Sequence, residues 1–183
     1  KAMDLAVIFS ERKEYTETEP LKIRLEEGVH EIVGNYVNVA CSRITFVGKG
    51  KDHTTIRGGF RVFNQQHVKF EELAIMNQSG AGLGLHGSET TVDVLKCVVK
   101  ECGSFGVFMY NGATVTATQC EFVENGQSGV YCDGANTKVR LDECKMHHNG
   151  SYGLVAISGA VVDLHGTKTD IHSNKDCGIG AIR

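Results

Sequence analysis

Apolar and polar residues alternate with a period of two along most of the chain, in short runs separated by glycine and asparagine. Cys120-Glu121-Phe122-Val123 and Gly129-Val130-Tyr131-Cys132 show the pattern clearly. A period of two puts successive side chains on opposite faces of an extended backbone, so these runs are strands with one face buried. No stretch carries an apolar stripe of helical period long enough to pack, which excludes the helical solenoids.

The runs recur. Cys97, Cys120 and Cys144 lie 23 and 24 residues apart (97 to 120 to 144), a spacing in the range of solenoid repeats. Val92-Asp93-Val94, Val115-Thr116-Ala117, Val139-Arg140-Leu141 and Val162-Asp163-Leu164 share one phase. Gly82-Leu83, Gly106-Val107, Gly129-Val130, Gly153-Leu154 and Gly178-Ile179 share another. Two more degenerate units precede Val68, one over 21–42 and one over 43–66. Each unit holds three short strands joined by turns, which predicts one coil of a parallel β-helix per unit and about seven coils in all. At about 4.8 Å per coil the stack is a rod roughly 30 Å long. A leucine-rich repeat is excluded because its Leu/Asn consensus is missing. The domain reading is a capping segment at 1–20 and an all-β, single-stranded parallel β-helix at 21–183.

Composition sharpens this. The 183 residues contain Gly 22 but Pro 1 and Trp 0, which favours tight turns between strands over a disordered linker. The net charge of −3 gives no basic footprint for nucleic acid or an anionic membrane. No apolar run approaches the roughly 20 residues that span a bilayer. Lys1-Ala2-Met3-Asp4 does not read as a signal peptide. Cys 7 is an odd number without a CxxC pair, so free thiols in a reducing, intracellular compartment are expected.

The pattern Val-x-Ala-x-x-Cys-x-Phe-x-x-Asn-Gly-x-x-Gly-Val-x-Cys over residues 115–132 resembles the right-handed parallel β-helix, or pectate-lyase-like, superfamily. In repeat style it is most similar to the non-enzymatic NosD-like and F-box-protein β-helix repeats. The resemblance covers 21–183 and implies a right-handed coil; it says little of function, because the scaffold serves enzymes and binders alike. It also implies that Asn125 and Asn149, with Cys102 in the same place one coil earlier, form an internal hydrogen-bonded ladder. The enzyme motifs of the superfamily are missing. The only proline is Pro20, so the Asp-Pro-His motif of the alginate epimerases is absent. No three carboxylates share one outward patch, as the pectate lyases' calcium would need.

At the ends, Leu5-Ala6-Val7-Ile8-Phe9 fits a capping helix or a first strand, and a helix lying across the first coil is the preferred expectation. Ala181-Ile182-Arg183 falls inside the last unit, so that end is expected to be uncapped and covered by further chain or by another molecule.

Three groups of residues are candidate sites. Alternation places Val107 and Met109 inside, hence Phe108 and Tyr110 outside, and likewise Tyr131 with Asp133, Val155 with Ile157, and His86. Stacking makes two columns: Gly84, Phe108, Tyr131, Val155, and beside it His86, Tyr110, Asp133, Ile157. Phe108, Tyr110 and Tyr131 with His86 and Asp133 at the rim make an exposed aromatic surface suited to sugar rings or to a protein. The second group is the charged column Lys69, Asp93, Thr116, Arg140, Asp163 with its neighbour Glu71, Leu95, Thr118, Asp142, His165. There Asp142 over His165 is a conceivable acid/base pair, although alternating charge is also how a stack solvates a face. The third is His147-His148 with Asp170 and His172. Adjacent strand residues point oppositely, so at most one of the two histidines could join a metal site.

The functional expectation is a non-catalytic binding or scaffold module of a larger protein. It holds a protein or a carbohydrate on the aromatic face, without cofactor or metal, and self-associates end to end or face to face. The alternative is a polysaccharide-active lyase or epimerase with its site on the same face, and a purely structural rod stays open.

Overall fold

The chain winds through three faces per coil, and the computed structural model describes residues 15–16 and 18–182. The expected capping helix at Leu5–Phe9 lies outside the described residues. On the first face run β1 (Leu21–Arg24), β3 (Ile44–Val47), β5 (Val68–Glu71), β8 (Thr91–Leu95), β11 (Thr114–Thr118), β14 (Lys138–Asp142) and β17 (Val161–His165), a seven-stranded sheet in that order. On the second run β6 (Ala74–Met76), β9 (Val98–Lys100), β12 (Glu121–Val123), β15 (Lys145–His147) and β18 (Asp170–His172). On the third run β7 (Leu83–His86), β10 (Val107–Tyr110), β13 (Val130–Asp133), β16 (Leu154–Ile157) and β19 (Ile179–Ile182). All pairings are parallel and join each coil to the next.

The first two coils differ from the three-strand expectation. β2 (Gly28–Val39) and β4 (Thr54–Phe63) are long strands that cross from the second face to the third, paired to one another with a register shift between Glu31 and Tyr36. Those coils turn the corner by bending a continuous strand.

Later coils turn on single residues in the left-handed region. Lys96, Gln119 and Glu143 (φ 50, 54 and 51°) stack at the first corner, and Glu101, Glu124 and His148 (φ 50, 55 and 55°) at the second. Each such residue costs about 1–2 kcal/mol of backbone strain, which the coil-to-coil hydrogen bonds offset. The repeat glycine is fixed by close approach instead. A Cβ on Gly106 would sit 2.5 Å from the Gly129 carbonyl oxygen, and one on Gly129 would sit 2.7 Å from that of Gly153.

The core is one column of apolar layers. Phe46, Phe60 and Phe70 pack with ring centroids 4.8–5.2 Å apart, and Phe122 lies in register between Val99 and Met146, all three buried. The asparagine ladder runs beside it. Asn125 donates from its backbone N and from Nδ2 to Asn149 Oδ1 (3.2 and 2.9 Å), and Asn149 does the same to Asn174 Oδ1 (3.1 and 2.9 Å). The Asn125 Oδ1 accepts from the Cys102 amide at 3.2 Å. Asn174 extends the ladder beyond the pair expected from the sequence. Asn77 holds the same place in an earlier coil and donates to the Ala81 carbonyl at 2.8 Å.

Cys97, Cys120 and Cys144 are buried free thiols at equal phase. The Cys120 and Cys144 Sγ atoms donate to the carbonyls of Val94 and Ala117 at 3.3 Å. Burial pushes Cys97 and Cys132 from 9.0 up to about 12, and Cys102 up to about 11. The Cys144 thiol beside it, and burial, push Cys120 up as well. Titration of the native protein with an aromatic disulfide is therefore expected to label exposed Cys177 first and to spare the column; rapid labelling of Cys97, Cys120 and Cys144 would break the register. Cys97, Cys102, Cys120 and Cys132, all raised, keep their protons in the fold where the unfolded chain loses them, so their contribution to stability is full below about pH 9 and falls as pH rises toward 12.

Candidate ligand-binding face

The outward positions of the third face form two columns. Register pairs Asn38, Arg61, Gly84, Phe108, Tyr131, Val155 and Gly180 in the first. It pairs Phe63, His86, Tyr110, Asp133 and Ile157 in the second. Each residue stands there because its neighbours in sequence are core: Val107 and Met109 bracket Phe108, and Val130 and Cys132 bracket Tyr131, all at most 1% exposed.

The rings make a continuous ladder. His86 stacks on Tyr110 with centroids 4.2 Å apart and planes 13° from parallel, and Phe63 closes its other side at 4.9 Å. Phe108 meets Tyr110 at 5.2 Å and Tyr131 at 5.4 Å. Asp133 is half-buried in register with Tyr110. The Asn111 amide donates to His86 Nε2 at 2.8 Å, which leaves the proton of the neutral ring on Nδ1. Burial and then the Asp133 carboxylate push the Tyr131 phenol up, so it remains an O–H donor at neutral pH.

Several members were not visible as such in the sequence. Phe105 packs on Phe108 at 5.2 Å and on Tyr131 at 4.8 Å; it precedes the repeat glycine, where other coils carry Ala81, Ser128 and Cys177, and Tyr152 holds that place one coil beyond Ser128. Arg61 lies with its guanidinium carbon 4.0 Å from the Tyr36 ring centroid, and the Tyr36 hydroxyl accepts from the Ala81 amide at 3.0 Å. Arg61, Phe63 and Tyr36 belong to the degenerate early coils, where only the repeat phase, carried backwards, could have found them. Val155 holds its outward place but is covered: it is 4% exposed, and the Tyr152 ring lies 3.0 Å from where a Cβ on its neighbour Gly180 would be.

A groove lies on each side of the Phe105–Phe108–Tyr131 ridge. One, of about 570 Å³, runs between Tyr36 and Arg61 on one side and Phe105 and Phe108 on the other. The second, of about 420 Å³, lies between Tyr131 and Tyr152 over Val155.

The other two candidate groups come together differently from expectation. His165 Nε2 lies 2.6 Å from Asp163 Oδ1, not from Asp142, and Arg140 reaches the same carboxylate at 3.9 Å. Asp163 is on the same strand two residues away and so shares its face, which the acid/base reading of Asp142 overlooked. His147 and His148 do not point apart. β15 ends at His147, the left-handed turn at His148 swings its ring back, and the two Nδ1 atoms are 2.8 Å apart. His172 stacks on His147 at 5.0 Å. Burial would raise Glu121, but hydrogen bonds from Lys51 and His147, both 2.8 Å, outweigh it and hold that carboxyl below its usual value. Among the described residues no three His, Cys, Asp or Glu side chains converge to hold a metal ion.

Residues 32–183 match the family described as right handed beta helix region. The chain belongs to the right-handed β-helix family. ORF18 of Geobacillus virus E2 is a solved structure of similar fold, with a TM-score of 0.59 at 15% identity over 86% of this chain and 44% of the viral one. At that identity the likeness shows the fold alone, and this chain spans less than half of the viral protein's length. A search of curated proteins finds no match. Membership of the family is compatible with binding and with enzymatic function alike.

Proposed function

We propose that this β-helix is a glycan-binding module whose ligand lies along the third face, across the Phe105–Phe108–Tyr131 ridge and into the grooves beside it. The observation that carries the reading is the ring ladder itself: five aromatic or imidazole rings, His86, Phe105, Phe108, Tyr110 and Tyr131, in mutual contact and open to solvent. Flat apolar faces with polar edges suit the C–H faces of pyranose rings, and a groove on each side of the ridge suits a chain rather than a single sugar. A flat protein partner would leave both grooves unfilled. The reading is non-catalytic because, among the described residues, no carboxylate lines either groove, and Asp133 is the one acidic side chain of the two columns.

Binding to a glycan array is expected for the wild type. Tyr131→Ala is expected to weaken it about tenfold or more, some 1.4 kcal/mol, with the melting temperature nearly unchanged. A blank array, with pairing of molecules through this face in solution scattering, would replace the glycan by a protein partner. Turnover of alginate or pectate that stops in His86→Ala would make the face an active site.

A further inference from the structure

The first face carries a pocket of its own, opposite in chemistry to the two grooves of the aromatic face. Column pairing there runs Lys22, Thr45, Lys69, and these side chains point outward between core residues Ile44, Phe46, Val68 and Phe70. Thr45 is nonetheless only 4% exposed, because the longer side chains of Lys22 and Lys69 rise on either side of it. The result is a notch of about 330 Å³ floored by Thr45 and walled by Lys22, Lys69, Arg43, His67 and Glu71.

Three of those side chains are cations against one carboxylate, on a chain whose net charge is −3. Lys69 is shared with Asp93 at 3.7 Å. Among the described residues neither Lys22 nor Arg43 has an ion-pair partner, and the Thr45 hydroxyl makes no hydrogen bond. Arg43 Nε is buried with no hydrogen-bond partner. A buried guanidinium N–H left without an acceptor is costly, and native structures supply one. The Arg43 backbone stands in a left-handed turn, φ 58°, with its N–H donated to the Gln66 carbonyl at 2.8 Å, and its side chain lines the notch.

We propose that this notch binds a tetrahedral oxyanion, a phosphate or sulfate group, with the Arg43 guanidinium and the Thr45 hydroxyl donating to its oxygens and Lys22 and Lys69 supplying charge. The guanidinium fork matches two oxygens of such a group, and a charge-assisted hydrogen bond is about twice as strong as a neutral one. The site is separate from the aromatic face and stands whether or not that face binds a glycan.

The test is a titration of the ¹⁵N-labelled full chain with inorganic phosphate, inorganic sulfate and, at matched ionic strength, chloride. The Thr45 amide and the Arg43 Nε–H are the reporters. Saturable shifts at these two groups with phosphate or sulfate, and none with chloride, are expected, and the tighter of the two dianions identifies the source. Arg43→Gln and Lys22→Gln are each expected to weaken binding about tenfold, while Lys138→Gln, further along the same face, leaves it unchanged. Lys22 is an exposed side chain, so its variant tests the site even if Arg43→Gln perturbs the turn. No saturable shift, an equal response to chloride, or equal affinity in Lys22→Gln and wild type would overturn the proposal.

Discussion

Truncating Phe122 to alanine is expected to cost about 3–5 kcal/mol, the range for large core side chains. Phe122 is 1% exposed and stacks between Val99 and Met146 in adjacent coils. A solenoid has no second layer to close over the gap, since each coil contacts only its two neighbours. Relaxation into the cavity would have to shorten the spacing of coils that the backbone ladder holds apart, so the cavity stays. Equilibrium urea denaturation of Phe122→Ala against wild type gives the number. A loss under 1 kcal/mol would mean that the side chain faces out and that the alternation across this repeat is misassigned.

The parts of this molecule that were legible in its sequence are those that repeat. Cys97, Cys120 and Cys144 announce the period, and one period fixes register for every strand between them, because the side-chain alternation leaves no freedom once the core face is chosen. The same count put Phe108 over Gly84 and Tyr131 over Phe108. What was not legible sits at corners and in the early coils. His148 and Tyr152 are turn residues, where a left-handed φ or the residue before a glycine sends the side chain in a direction that alternation does not specify. Tyr36 and Arg61 lie on β2 and β4 respectively, whose corner is a bent strand rather than a turn, so the local pattern carries no mark of where one face ends. His165 chose Asp163 over Asp142, a choice between a same-strand and a cross-strand neighbour that spacing alone leaves equal. The aromatic surface was half visible for that reason: its strand residues follow from the repeat, and its flanking rings come from turns.

Replacing Asn149 with alanine is expected to destabilise the protein by about 2–4 kcal/mol, although it removes little apolar area. Its Oδ1 accepts two hydrogen bonds from Asn125, and its Nδ2 donates to the Phe122 carbonyl at 3.1 Å and to Asn174 Oδ1. Asn125 and Asn149 are both 1% exposed, so the two Asn125 donors lose their acceptor where water has poor access. Each buried polar group left unpaired costs about 1–3 kcal/mol. Asp would be a different test from Ala, because its carboxylate could still accept from Asn125 but could not donate to the Phe122 carbonyl or to Asn174. Asn149→Asp is therefore expected to keep the Asn125 contact and still lose stability, more at neutral pH than under acid conditions that protonate the carboxyl and restore a donor. Thermal unfolding of both variants across pH distinguishes this from a simple packing role: if the ladder carries the effect, acid narrows the gap between Asn149→Asp and wild type, whereas a gap that ignores pH would show that Asn149 serves only as filler between coils.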